Sequence, residues 1–154
     1  MNLTVDVISD VICPWCYIGK RRLEKAIVAL DGQVQVRWHP FQLNPTMPRE
    51  GISRREYRTK KFGNWERSLE LDANIVAVGK EEGIQFDFER MEGTPNTLDA
   101  HRLIWLADMQ GVQDAVVEAL SRPTSPRAAT SATDRRSSTL LPKLVWIGSG
   151  PRLC

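Results

Sequence analysis

The stretch DVICPWCYIG, residues 10–19, contains two of the three cysteines of the chain, Cys13 and Cys16. The third cysteine is Cys154, the last residue. Residues 3–8 alternate apolar and polar side chains before the pair, and an amphipathic segment follows it. The two cysteines therefore fall where a predicted strand ends and a predicted helix begins.

The start of this helix decides how the cysteines are oriented. If Cys13 is the N-cap, Pro14 occupies the first helical position, which tolerates its missing N–H and fixed φ. Cys16 then lies one turn away on the same face, close enough to form a disulfide with Cys13. The free amides and the dipole of the first turn favour a thiolate at Cys13, and we expect its sulfur to accept hydrogen bonds from those amides. This geometry predicts a nucleophile and its resolving partner.

Three other interpretations of the pair remain open. A structural disulfide would close a loop of about four residues and would not persist in a reducing compartment. A zinc site needs four ligands, and the chain offers His39, His101 and Cys154 beyond the pair, mostly for a site shared between two chains. A chance pair of buried cysteines is the third. A C-x-x-C motif beside a βαβ pattern is typical of a thioredoxin-like redox site, so we expect no metal.

The rest of the N-terminal part reads as a βαβ unit followed by helices. Residues 34–38 form a second alternating strand, so residues 1–40 predict two parallel strands joined by a helix. A helical segment covers about 50–120, where Ser53 and Glu56 form a capping box. Its helices are predicted at 53–62, 65–82, 96–110 and 112–121. The fold class is therefore α/β, and two strands are too few for a stable sheet.

Charge is distributed unevenly along the chain. The 154 residues, 42% hydrophobic and 26% charged, have the composition of one globular domain with a net charge of +2. Up to Leu120 there are 15 Lys and Arg against 18 Asp and Glu, and after it there are 6 against 1. Residues 121–139 contain only Ser, Thr, Pro, Ala, Arg and one Asp, so we predict disorder. This basic segment lacks interleaved aromatic residues, so we expect no nucleic-acid partner.

The sequence also bears on location. No apolar run reaches the roughly 18 residues of a membrane helix, so we expect no membrane partner. The first ten residues lack a basic start and a small-residue cleavage site, and three cysteines cannot form a disulfide framework. We therefore expect a cytoplasmic protein.

Three separated segments resemble one known family. They are SDVICPWCYIGKRRLEKA (9–26), VRWHPFQLNPTMP (36–48) and TPNTLDAHRLIWLA (94–107). Together they resemble the FrnE-like branch of the DsbA-type thioredoxin-like oxidoreductases, over residues 1 to about 120. The resemblance implies a thioredoxin fold with a helical insertion between the second and third strands. It implies a dithiol–disulfide oxidoreductase that acts on disulfides of proteins or small molecules.

The same resemblance assigns roles to the motif. It makes Cys13 the attacking cysteine and Cys16 the resolving one, with Pro14 and Trp15 tuning the redox potential. Two glutathione-dependent groups are similar in fold, the 2-hydroxychromene-2-carboxylate isomerases and the kappa-class glutathione transferases. They typically have serine at the first position, so Cys13 argues against them. We expect no bound cofactor, with glutathione as a candidate redox partner.

Other polar residues give weaker signals. His39, Pro40, Asn96 and His101 are candidates for a substrate groove, although both histidines are more simply structural. The basic run RREYRTKK, 54–61, is most simply a solvated helix face.

The resemblance ends near Leu120. The further helix, cis-proline loop, last two strands and closing helix of the family are not recognisable, and only residues 143–148 resemble a short strand. We hypothesise that residues from about 121 to 154 are a frameshifted or otherwise aberrant tail. The domain at 1–120 is then incomplete, and an inactive truncated fragment of such an enzyme is the alternative function. Resequencing the gene around this codon and finding an unbroken frame would refute the frameshift.

Overall fold

The computed structural model describes residues 3–30 and 34–123. In chain order its elements are β1 (Leu3–Ser9), α1 (Pro14–Ala29), β2 (Val34–Pro40), β3 (Ile52–Ser53), α2 (Arg54–Phe62), α3 (Trp65–Glu81), β4 (Gly93–Thr94), α4 (Leu98–Met109) and α5 (Gln113–Ser121). The disorder predicted over 121–139 is wrong at its start, because Ser121 ends α5 and residues 122–123 line a cavity. The rest of that segment, the short strand at 143–148 and Cys154 lie outside the described residues.

The βαβ unit predicted for the N-terminal part is confirmed. Strands β1 and β2 pair in parallel, with Leu3 opposite Val34 and Ser9 opposite Pro40. Helix α1 connects them and begins at Pro14, with extended backbone at its N-cap. A parallel pair needs such a crossover, and the crossover places the start of α1 at the carboxyl end of β1.

The four helices predicted after β2 are confirmed to within two residues at each end. Helix α2 begins as the capping box predicts, because the Ser53 hydroxyl accepts a hydrogen bond of 3.1 Å from the Glu56 amide. The sequence did not predict the antiparallel pair of β3 and β4, in which Ile52 lies opposite Thr94. Gly51 precedes this pair with a φ of 76°, and a Cβ there would lie 2.6 Å from the Thr94 carbonyl oxygen. Only glycine fits this turn without strain.

Two apolar clusters hold these elements together. One joins α1 and α3 through Tyr17, Ile18 and Ile75, with Ile84 beside them. The other packs Trp38 of β2 against α4 and α5 through Ile104 and Val117. Burial of such side chains stabilises the fold by about 1.5–3 kcal/mol each. The clusters fix the helical segment on the βαβ unit.

The edge of β2 is covered by a side chain of α5. The Gln113 amide accepts a bond of 2.9 Å from the Trp38 N–H and donates one of 2.9 Å to the Trp38 carbonyl. The Gln113 side chain takes the place of a neighbouring strand at Trp38, because it satisfies both backbone groups of that residue. The division into a domain ending near Leu120 and an aberrant tail stays a prediction. No helix of the described residues is long and apolar enough to cross a membrane.

Candidate active site

Cys13 and Cys16 form the centre of the site, at the N-cap and in the first turn of α1. The Cys16 thiol donates a hydrogen bond to the Cys13 sulfur, and this bond lowers the pKa of Cys13 to about 6 although partial burial raises it. The N–H groups of Cys16 and Trp15 lower this pKa further. Cys13 is therefore largely a thiolate at neutral pH.

The predicted capping of Cys13 needs a correction. We expected its sulfur to accept regular capping hydrogen bonds from the first-turn amides, but it makes no side-chain capping hydrogen bond. The N–H groups of Cys16 and Trp15 still lower the pKa of Cys13, but the Cys16 thiol has the larger effect. The thiol can rotate its proton toward the Cys13 sulfur, whereas the N–H groups of the first turn are held along the helix axis.

The environment of Cys16 has the opposite effect. The thiolate of Cys13 accepts the Cys16 proton in a hydrogen bond, which raises the pKa of Cys16, and burial raises it further. The pair therefore shares one proton, with the charge on Cys13. This difference separates a nucleophile from a thiol that stays protonated until the hydrogen bond breaks.

Asp10, at the end of β1, connects the reactive loop to two other parts of the chain. It is 2% exposed, and its carbonyl accepts the Cys13 amide at 3.0 Å. Its carboxylate accepts the Leu43 amide at 2.8 Å and lies 3.1 Å from the His101 Nε2. The charge of Asp10 raises the pKa of Cys13. Asp10 was not among the predicted site residues, although a carboxylate directly after a strand and three residues before Cys13 was the available signal.

The four predicted groove residues do not line the cavity at Cys13. His39 is exposed, and its Nε2 lies 2.8 Å from Asp6 Oδ1. The Asn96 amide donates a bond of 2.6 Å to the Met47 carbonyl. Pro40 and His101 line a separate shallow depression. From the predicted segments around them, Leu43, Thr94 and Pro95 line the cavity instead, and His101 contacts Asp10.

A cavity of about 290 Å³ opens beside Cys13, Pro14 and Trp15. Its apolar wall includes Ile12, Leu43, Ile75, Phe86 and Phe88, and the two phenylalanine rings stack with centroids 5.2 Å apart. Helix α2 lines the cavity with Arg54, Tyr57, Arg58, Lys61 and Phe62, and the Arg54 guanidinium lies 5.0 Å from the centroid of the Phe88 ring. The reactive cysteine thus lies next to a cavity with an apolar side and a basic side.

The interpretation of residues 54–61 as a solvated face is wrong for two of the arginines. Arg54 is 7% exposed, and its guanidinium donates a bond of 2.7 Å to Asp72. Arg58 donates to the same carboxylate at 2.5 Å and to the Ser68 hydroxyl at 2.6 Å. The signal was the spacing of four and three residues between the basic positions 54, 58 and 61, which puts them on one helix face.

No three His, Cys, Asp or Glu side chains converge to hold a metal ion in the part of the chain that the structure describes.

A dithiol at the N-terminus of the helix between two parallel strands, with a cavity beside the first cysteine, defines the thioredoxin-like class of redox protein. The family profile of the DSBA-like thioredoxin domain matches residues 4–136. The chain belongs to this family, and its fold is the thioredoxin-like α/β fold of that family. The match reaches past Leu120, where our resemblance ended.

Two known proteins are similar to this chain. The uncharacterized protein YwbO of Bacillus subtilis (strain 168) is 30% identical over 97 residues, which cover 63% of this chain and 44% of YwbO. The crystal structure of a probable DsbA oxidoreductase, SCO1869 from Streptomyces coelicolor, is 32% identical with a TM-score of 0.69. That match covers 77% of this chain and 52% of the other. The chain spans about half the length of these relatives.

Proposed function

We propose that this protein is a dithiol–disulfide oxidoreductase in which Cys13 attacks and Cys16 resolves. The observation that supports it is the division of one proton between two cysteines one helical turn apart, with the pKa of Cys13 lowered to about 6. A thiolate at neutral pH is the nucleophile of thiol–disulfide exchange. A conserved fold alone would not distinguish this role from a structural one.

The reaction follows from these protonation states. The Cys13 thiolate attacks one sulfur of a substrate disulfide, forms a mixed disulfide and releases the other half as a thiolate. The hydrogen bond that raised the pKa of Cys16 is then lost, because Cys13 no longer has a charge. Cys16 loses its proton to solvent and attacks the Cys13 sulfur, which releases the second half of the substrate. The dithiol is oxidised by two electrons, and the substrate disulfide is reduced.

The roles of the two cysteines are tested by substitution. With a protein disulfide as substrate and dithiothreitol as reductant, Cys13→Ser abolishes turnover. Reduced Cys16→Ser, mixed with the same substrate without dithiothreitol, accumulates the mixed disulfide on Cys13, detectable by mass. Cys154→Ser is the matched control, because it removes a cysteine outside the motif. Equal activity of the two motif variants would contradict the assignment.

The finer parts of the proposal concern the branch, the location and the partners. The three segments quoted above support the FrnE-like branch, and Pro14 and Trp15 as the residues that tune the redox potential. The scarcity of cysteines supports a cytoplasmic location. There the glutathione pool is the proposed redox partner, and disulfides of proteins or small molecules are the proposed substrates. The reduction potential, measured by equilibration with glutathione, decides whether the protein mainly oxidises or reduces.

A second candidate is an inactive fragment of such an enzyme. The change of composition and charge after Leu120, from 15 Lys and Arg against 18 Asp and Glu to 6 against 1, favours it. This candidate predicts a chain without a sharp thermal transition and with ordinary cysteine reactivity. A cooperative transition together with turnover excludes it.

A further inference from the structure

The cavity beside Cys13 has an uneven charge. Arg54, Arg58 and Lys61 face it from one side of α2, and Arg122 lines it from the residue after α5. The Cys13 thiolate is the one anionic group among the described residues that line it. Behind the α2 wall, Asp72 accepts hydrogen bonds from Arg54 and Arg58. Three cations and one carboxylate leave this wall with a net charge of +2. Such a wall attracts anions, most strongly where water is partly excluded.

Lys61 is the cation of this wall that is available to a ligand. Its ammonium donates a bond of 2.7 Å to the Tyr57 hydroxyl and lies over the Tyr57 and Phe62 rings. It forms no ion pair with the described residues, whereas the two arginines are held by Asp72. A hydroxyl and two ring faces do not neutralise its charge. Lys61 can therefore pair with a carboxylate of a bound molecule.

The apolar side of the cavity sets a second requirement for a bound molecule. It is made of aliphatic and phenyl side chains, among them Ile12, Leu43 and Phe88. A volume of about 290 Å³ lies at the lower end of the range for small-molecule pockets. A cavity of this size suits one half of a small disulfide.

We propose that the cavity selects low-molecular-weight disulfides with an apolar or aromatic half that carries a carboxylate. The apolar group packs against the Phe88 side, the carboxylate pairs with Lys61, and the disulfide meets the Cys13 sulfur. The proposal rests on the proposed oxidoreductase function and names its substrate class. The carboxylate can pair with Lys61 whether the small molecule enters as a disulfide or as a thiolate, since the thiolate that leaves keeps its carboxylate.

The test uses two aromatic disulfides of similar size as probes. Dithiobis(nitrobenzoate) has one carboxylate on each ring, and dithiodipyridine is neutral at pH 8. Both oxidise the dithiol by the two exchange steps given above, and both release a coloured thiol. The full chain with Cys154→Ser is reduced, and the second-order rate with each probe is measured against Cys13→Ser, which sets the background.

Three lysine variants isolate the charge of the wall. We expect Lys61→Gln to slow the reaction with the anionic probe about threefold to tenfold and to leave the neutral probe unchanged. Lys61→Arg restores the rate, and salt reduces the difference in the unsubstituted chain. Lys60→Gln is the matched control: Lys60 is the exposed neighbour on α2, does not line the cavity, and loses the same charge.

The outcomes distinguish a failure of the proposed substrate class from a failure of the proposed oxidoreductase function. If Cys13 reacts rapidly with both probes but Lys61→Gln and Lys60→Gln behave alike, the substrate class is wrong and the oxidoreductase function stands. If the rates equal those of Cys13→Ser for both probes, the oxidoreductase function itself fails. A change in the thiolate population alone would alter both probes equally, so it cannot imitate the expected result.

Discussion

At the scale of single residues, the two cysteines of the motif differ only in their surroundings. Cys13 receives a hydrogen bond from a thiol and lies at the start of a helix, and Cys16 gives that bond from the half-buried first turn. One therefore ionises near pH 6, and the other keeps its proton. The reactivity belongs to the pair, so a change at either cysteine changes both pKa values.

Alkylation against pH tests this difference. We expect the rate of iodoacetamide alkylation of Cys13 to reach half its plateau near pH 6, because the thiolate reacts and its pKa is about 6. While Cys13 is unmodified, Cys16 stays unreactive until the pH exceeds the ordinary thiol range, so initial rates are compared. Peptide mapping separates the sites, and the protein in urea is the control. One shared midpoint near about 8.5 in the absence of urea would show that the site is not formed.

Asp10 offers a test of the electrostatics behind the dithiol. We expect Asp10→Asn to lower the alkylation midpoint of Cys13, because the negative charge of Asp10 raises that pKa. The same substitution destabilises the fold by about 1–3 kcal/mol, since it replaces a buried acceptor of two amide bonds with a group that donates in part. Two quantities are measured: the pH midpoint of Cys13 alkylation and the denaturant concentration at the midpoint of unfolding. Asp6→Asn, an exposed carboxylate on the same strand, is the control and should change neither. A raised midpoint in Asp10→Asn would contradict the account.

At the scale of elements, a polar cluster joins α1 to α5. The Glu118 carboxylate accepts hydrogen bonds of 2.8 Å from the Tyr17 hydroxyl and 2.5 Å from Arg21, with Lys20 3.3 Å away. Burial raises the pKa of Glu118, but these bonds and charges outweigh it and lower the pKa to about 2. The cluster fixes the last described helix against the helix that bears the dithiol.

Removing the charge of Glu118 tests this cluster. A folded-state pKa below the ordinary value of 4.5 stabilises the fold above pH 4.5, and this stability is lost as the pH falls toward 2. We therefore expect Glu118→Gln to lower the free energy of unfolding by about 1–2 kcal/mol at pH 7 and to flatten its fall between pH 4.5 and 2. Urea unfolding at several pH values measures both effects. Glu89→Gln removes an exposed carboxylate and should reproduce neither; equal slopes in all three proteins would exclude the cluster as the cause.

At the scale of the whole molecule, the pKa of Cys13 links folding stability to redox state. Only the reduced form has this thiolate, whose pKa of about 6 in the folded state lies below the ordinary thiol value of 9.0. The stabilisation is complete above the unfolded pKa and is lost as the pH falls through 6. The disulfide stabilises the oxidised form by a term that does not change with pH.

We expect the stability of the reduced protein, relative to the oxidised one, to rise between pH 5 and pH 8. The rise should be about 1–2 kcal/mol, allowing for solvent screening at a half-buried sulfur. Thermal or urea unfolding of both forms at each pH measures it, and Cys13→Ser, which cannot form the pair, is the control. A difference that stays constant over this range would mean that the thiolate is not stabilised by the fold.

The sequence by itself determined the local structure of this protein. Alternation placed the two parallel strands, apolar spacing placed the helices, and Pro14 after Cys13 fixed the start of α1. These features depend on neighbours within one or two turns, so a short window contains the information. The family resemblance followed for the same reason, because its motifs are continuous stretches of chain.

The tertiary structure decided what surrounds the dithiol. His101 meets Asp10 across 91 residues of chain, and Arg54 and Arg58 meet Asp72, so a presumed surface helix became the wall of a cavity. The pairing of the two-residue strands β3 and β4 also depends on contact between distant parts of the chain, because Ile52 lies opposite Thr94. Burial, partners and charge balance depend on which distant segments the apolar clusters bring together, and no local pattern encodes that choice. The nucleophile can therefore be found from the sequence, whereas its protonation and the chemistry of its cavity follow only from the folded chain.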